Sequence, residues 1–170
     1  MAAADVLAFL RLCDDSGAAV WLDGGWACDA LLQRETRPHD DLDIVIERRH
    51  TGAVAQALRA AGYHDVPRDD TQPWNFVLGD DAGHEVDFHV VELDAAGNGL
   101  YSPPDRGVWY PAASLAGCGV IAGRRVRCIS ADWLVRFHTG YPPEAEDRAD
   151  VAALCAEFGL PVPGGYERLP

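Results

Sequence analysis

Apolar residues recur at Val6, Phe9, Leu10 and Cys13, the spacing of a helix that buries one face. Asp14-Asp15-Ser16-Gly17 ends that helix. Ala18 to Leu22 is a short apolar run that reads as a buried strand. Asp23-Gly24-Gly25 follows as a tight turn, and Trp26 to Leu32 reads as a second helix. A polar loop spans 34–40. The segment Asp41-Leu42-Asp43-Ile44-Val45-Ile46-Glu47 then alternates like a strand and is rich in β-branched residues. Thr51 is expected to cap a helix through Ala61, with Val54, Ala57, Leu58 and Ala61 facing inward. Strands are expected at Asn75 to Leu78 and His84 to Val91, joined through the glycine-bounded loop 79–83. Residues 95–106 read as a loop. Gly119 to Ile129 reads as a hairpin turned at Gly123. Ser130 can cap a helix to His138. Gly140-Tyr141-Pro142-Pro143 breaks the chain, and a last helix runs from Glu144 to Phe158 with Val151, Leu154, Cys155 and Phe158 on one face. Residues 161–170 read as a loose tail.

The strand alternation brings chemistry together. In 41–47, Leu42, Ile44 and Ile46 point to the core, so Asp41 and Asp43 share the other face, roughly 7 Å apart at Cα. In Glu85-Val86-Asp87-Phe88-His89-Val90, the residues Glu85, Asp87 and His89 likewise share one face. Neighbouring carboxylates repel unless a cation lies between them, and hard oxygen donors suit Mg²⁺. If the two strands are neighbours, Asp87 joins Asp41 and Asp43. Three such carboxylates can hold two ions that clamp the attacking and leaving oxygens of a phosphoryl or nucleotidyl transfer. Gly24-Gly25, between a strand and a helix, lets backbone N–H groups approach a phosphate. Arg34, Arg37 and Arg48 are near enough in sequence to assist. Each signal is weak alone; their order along the chain gives them one geometric meaning.

Composition narrows the choice. The 170 residues suffice for one domain with its own core. No apolar run reaches membrane-spanning length, and the N-terminus lacks a signal-peptide pattern, so a cytoplasmic protein is expected. The net charge of −13 disfavours a nucleic-acid partner and suits a cationic small molecule. All 14 basic residues are arginine. Without lysine there is no P-loop, no kinase strand lysine and no Schiff-base catalysis. Five cysteines, with no C-x-x-C pair, argue against a disulfide framework or zinc knuckle.

Trp21-Leu22-Asp23-Gly24-Gly25-Trp26-Ala27-Cys28-Asp29-Ala30 and Arg37-Pro38-His39-Asp40-Asp41-Leu42-Asp43-Ile44 resemble the opening motifs of the small antibiotic nucleotidyltransferases of the polymerase-β-like superfamily. The similarity continues in Val86-Asp87-Phe88-His89, in 119–130 and in 137–141, and covers roughly residues 5–158. It is strongest to the short lincosamide nucleotidyltransferases, then to the aminoglycoside 2″-adenylyltransferases. The resemblance implies an α+β nucleotidyltransferase fold, a mixed β-sheet flanked by helices with a short C-terminal helical segment. It implies a catalytic domain over 1–129, C-terminal helices over 130–160 packing on it or at a dimer interface, and a tail over 161–170. The implied reaction is transfer of AMP from ATP to a lincosamide hydroxyl, releasing pyrophosphate. Asp41, Asp43 and Asp87 would be the catalytic and Mg²⁺-binding acids, with Asp87 a metal ligand, the general base, or both. Gly24, Gly25, Arg37 and His39 would bind the nucleotide, with His39 and Glu92 as further candidates for positioning or proton transfer. His39 also reads as a plain loop-to-strand hydrogen bonder and Glu92 as a solvated carboxylate. A single small domain offers half a cleft, so a homodimer is expected, with Trp133 and Tyr141 as aromatic contributors or core residues.

The alternatives are an aminoglycoside or other small-molecule acceptor, a non-catalytic nucleotide-binding or toxin–antitoxin module, and a metal-dependent phosphohydrolase. The charge favours an aminoglycoside, whereas the motif pattern favours the lincosamide branch. Retention of all three carboxylates opposes the non-catalytic module. A phosphohydrolase would be expected to cluster more histidines than His39 and His89.

Overall fold

A computed structural model describes residues 1–101 and 108–166. The chain runs α1 (Ala3–Asp15), β1 (Val20–Leu22), α2 (Gly24–Leu32), β2 (Asp41–Glu47), α3 (Arg48–Ala60), β3 (His64–Val66), β4 (Asn75–Gly79) and β5 (Glu85–Leu93). It continues with β6 (Gly99–Tyr101), β7 (Val108–Tyr110), β8 (Gly117–Ile121), β9 (Arg124–Cys128), α4 (Ala131–Phe137) and α5 (Ala145–Phe158).

The strands form one mixed sheet in the order β3-β4-β5-β2-β1-β9-β8, with β6 and β7 branching from β5. β2 and β5 are parallel, β1 runs antiparallel to β2, and β1 and β9 are parallel. One sheet face carries Leu22, Leu42, Ile44, Ile46, Val86 and Phe88, all without solvent exposure. Burying each such side chain contributes about 1.5–3 kcal/mol. α1 packs on α3, α2 packs on β8, and α5 packs on α2 and α4. Among the described residues no helix is long and apolar enough to cross a membrane. Four cysteines are buried, Cys118 is exposed, and all are free thiols.

The expected elements need several corrections. α2 begins at Gly24 rather than after a turn, because Asp23 caps it by accepting from the Gly24 N–H at 2.9 Å. α3 begins at Arg48, and Thr51 lies inside it, donating its hydroxyl to the Glu47 carbonyl. Its buried face is Val54, Ala55 and Leu58; Ala61 is exposed. Phe158 is exposed, unlike Val151, Leu154 and Cys155. β3, β6 and β7 have three residues each, too short to show alternation, and β3 is a polar edge. They occupy stretches read as connections. Part of the predicted loop, 102–106, and the end of the predicted tail, 167–170, lie outside the described residues. Up to Tyr166 the tail is not loose: that ring is 4% exposed and its hydroxyl donates to the His138 carbonyl at 2.5 Å.

Candidate active site

The parallel pairing of β2 and β5 sets Asp41 beside Glu85, Asp43 beside Asp87 and Val45 beside His89. Because side chains alternate, Asp43, Asp87 and His89 stand on the face away from the apolar core. One ligating atom from each lies within 4.8 Å of the others. Asp41, one pleat nearer the strand start, is more exposed and lines the adjoining cavity.

The start of α2 is drawn against these acids. The Asp23 N–H donates to the Asp43 carbonyl at 2.9 Å. Gly24 has φ +54°, and a Cβ there would come within 2.1 Å of Asp43 Oδ2. At Gly25 a Cβ would meet the His39 ring at 2.4 Å and Arg37 Nη2 at 2.9 Å. Both positions therefore admit only glycine without displacement, and both line the cavity. The Asp23 carboxylate, 9% exposed, also accepts from the Tyr110 hydroxyl at 3.1 Å.

The cavity has a volume of about 850 Å³. Its sheet side is Asp41, Asp43, His89, Tyr101 and Tyr110; its helical side includes Leu134, Phe137, Tyr141, Glu146 and Asp147. A compartment of that size suits a small molecule with convergent polar groups.

Charge crowding governs the proton affinities. Burial pushes the Asp87 carboxyl up to about 6, with Asp43 and Asp41 adding to the effect and His89 opposing it. Burial also raises Asp41, and Asp43 adds to that. For His89, burial alone would lower the pKa. Contact with Asp43 and the charges of Asp23, Asp43 and Asp87 outweigh burial and hold the ring up at about 9. Asp87 Oδ1 is fully buried and has no hydrogen-bond partner among the described residues. A divalent cation fits this donor set: it would neutralise the crowded carboxylates and satisfy that oxygen.

The other sequence candidates separate. Arg37 lines the cavity, but Glu146 at 2.9 Å and Asp150 at 3.1 Å hold its guanidinium. His39 does not line the cavity. It is 4% exposed and its Nε2 meets Asp29 Oδ2 at 2.7 Å, so it bonds the loop to helix α2 and not, as the plainer reading had it, to a strand. Arg34 is exposed and lies off the cavity. Arg48 and Glu92 pair with each other at 2.6 Å at the far ends of β2 and β5. Asp87 lies beside the cavity wall rather than in it. Trp133 is half-buried against Phe137, whereas Tyr141 is 50% exposed at the mouth. Sequence reasoning missed Asp23, Tyr101 and Tyr110. Asp23 could have been found as a helix cap preceding the glycines. The tyrosines arrive through non-local strand pairing and left no local signal.

A mixed sheet presenting in-register carboxylates beside a glycine-led helix is the architecture of a nucleotidyltransferase, and this chain is one. It belongs to the aminoglycoside-2″-adenylyltransferase family, whose model matches residues 5–154. A lincosamide resistance protein of Staphylococcus haemolyticus is 28% identical over 145 residues, covering 85% of this chain and 89% of that protein. A 2″-aminoglycoside nucleotidyltransferase of Escherichia coli is 28% identical over 139 residues, covering 79% of this chain and 71% of that protein. The crystal structure of lincomycin-bound lincosamide antibiotic adenylyltransferase LnuA superposes with a TM-score of 0.77 at 27% identity, covering 88% of this chain and 93% of that one.

Proposed function

We propose that the chain transfers AMP from ATP to a hydroxyl of an antibiotic, with a lincosamide as the preferred acceptor. The acceptor oxygen forms a bond to the α-phosphorus, the bond to the β-phosphate oxygen breaks, and pyrophosphate leaves. The observation that carries this reading is the register of β2 on β5, which sets Asp43 against Asp87 beneath the start of α2.

Asp41, Asp43 and Asp87 would hold Mg²⁺, two ions being accommodated if Asp43 is shared. When bound, Mg²⁺ supplies charge neutralisation on the triphosphate and the developing alkoxide. The N–H of Gly25 at the start of α2 attracts a phosphate oxygen, while Gly24, whose N–H is taken by the Asp23 carboxylate, leaves the approach clear of a side chain. Arg37 sits at the same rim, pre-oriented by Glu146 and Asp150. Asp87 would be a metal ligand, the carboxylate that receives the acceptor's proton, or both. Leu134, Phe137 and Tyr141 offer an apolar surface to the acceptor, with Glu146 and Asp147 available to an ammonium group.

An aminoglycoside is the second acceptor reading, favoured by the carboxylates of Asp40, Glu146 and Asp147 around the cavity. The reaction is assigned to the cytoplasm, where ATP and Mg²⁺ are supplied. A homodimer is part of the proposal, with Tyr141 at the contact that closes the acceptor side; sedimentation tests it.

The test is a mass-spectrometric transfer assay. Protein, Mg²⁺ and ATP are incubated with lincomycin, clindamycin and an aminoglycoside panel, beside Asp43→Asn. Wild type is expected to add one AMP to a lincosamide, with Asp43→Asn slower by about 10³-fold, since metal-assisted charge stabilisation contributes several kcal/mol. No modified drug, despite ATP binding, would overturn the antibiotic reading.

A further inference from the structure

His89 stands among the acids but is absent from the roles given so far. Its two ring nitrogens face different surroundings. Nδ1 lies 3.3 Å from the Tyr101 hydroxyl, and that hydroxyl donates its own proton to Asn75 Oδ1 at 2.6 Å. The tyrosine oxygen is thus left as an acceptor, so Nδ1 carries a proton toward it. The ring stands edge-on to Tyr101, with centroids 5.6 Å apart, which fixes its orientation. Asn75 and His89 are cross-strand partners on β4 and β5, so the chain Asn75–Tyr101–His89 is built into the sheet.

Nε2 is thereby turned toward the carboxylates. It lies 3.7 Å from Asp43 Oδ1. That is too long for a hydrogen bond. It is the separation of two donors on one ion: with metal–ligand distances of about 2.1 Å, donors stand about 3.0 Å apart at a right angle and about 3.6 Å apart at 120°. Independently, Oδ1 of Asp87, the third member of the cluster, is buried and has no hydrogen-bond partner among the described residues. An imidazole with one nitrogen fixed by a hydrogen-bond acceptor and the other left to a cation is the usual arrangement of a histidine ligand.

We infer that the inner ion site of this chain is a mixed nitrogen–oxygen site, Asp43, Asp87 and His89, with Tyr101 and Asn75 orienting the imidazole. The inference rests on the metal-dependent reading above and adds a ligand to it. Asp41, more exposed and outside this cluster, belongs to the outer ion. Imidazole suits the transition ions, whereas an all-oxygen set suits Mg²⁺.

The experiment is pulsed electron paramagnetic resonance of the full chain titrated with Mn²⁺ alone. A nitrogen coupling from one imidazole is expected, switching isotope when the protein is labelled uniformly with ¹⁵N. His89→Ala is expected to lose the coupling and to weaken Mn²⁺ binding by about tenfold or more. Tyr101→Phe is expected to keep the coupling while weakening binding about tenfold. Stoichiometric Mn²⁺ without nitrogen coupling in wild type would overturn this inference and leave the proposed function standing. Failure of the folded wild-type chain to bind Mn²⁺ at all would overturn the metal reading on which both depend.

Discussion

Asp29 is a buried carboxylate and Asp87 a half-buried one, and their surroundings are opposite. Asp29 sits where α2 meets the loop to β2, 1% exposed. Its oxygens accept from the Thr36 N–H at 2.9 Å, the Thr36 hydroxyl at 2.5 Å and His39 Nε2 at 2.7 Å. Burial alone would raise its pKa, but those hydrogen bonds outweigh it and hold the carboxyl below its usual value. Asp87 sits on the sheet with two further aspartates nearby and an oxygen to which nothing among the described residues donates. Its pKa moves the other way, up to about 6. A buried carboxylate with all its partners holds the fold together. One with an unpaired oxygen among like charges costs the fold stability, and in the proposed function it is there to hold a cation.

The contrast can be broken first at Asp29. Asp29→Ala leaves the Thr36 and His39 donors unpaired, and urea unfolding is expected to show a loss of about 3 kcal/mol. Turnover per folded molecule should survive; its loss would place Asp29 in the catalytic machinery instead. Gly24→Ala should do the reverse. A side chain at φ +54° costs about 1–2 kcal/mol, and its Cβ must push the Asp43 carboxylate aside. Transfer should fall by about tenfold or more, measured as kcat/KM, with the fold retained.

The smallest effect is in pH. The folded Asp87 takes up a proton below about 6, before the unfolded chain does, so acidification from pH 7 to 5 stabilises the metal-free protein through this group. Asp29 has the opposite sign. Its contribution is present above the unfolded value of about 4 and is lost as pH falls through the lower folded value. Asp87 therefore pushes the urea midpoint up from pH 7 to 5, with Asp23, Asp41 and Asp150 acting in the same direction, and Asp29 pulls it down from 5 to 3. Asp87→Asn should flatten the first arm and Asp29→Asn should shrink the second.

The difference between the two aspartates was only half legible in the sequence. Alternation along 41–47 and 85–90 gave the correct faces, because one side of each strand is strongly apolar and a slip of one residue would invert it. The neighbouring of β2 and β5 remained conditional, since parallel pairing across an intervening helix and two strands leaves no local mark. His39 was readable either as a nucleotide ligand or as a structural hydrogen bonder, and its partner Asp29 lies on a helix face with no polar signature of its own. Tyr101 and Tyr110 fell in or next to a stretch rich in glycine and proline, where three-residue strands cannot show a period. Asp23 was visible but read as part of a turn, although an aspartate before a helix is a capping signal.

The most direct test of the contrast is Asp87→Asn, with thermal unfolding and AMP transfer measured on the same preparation. An amide removes one charge from the cluster and brings a donor for Asp43. The account predicts a melting temperature equal to or above that of the wild type, together with transfer reduced by about 10²-fold or more. A lowered melting temperature with transfer retained would contradict it, because Asp87 would then be holding the fold in the way Asp29 does.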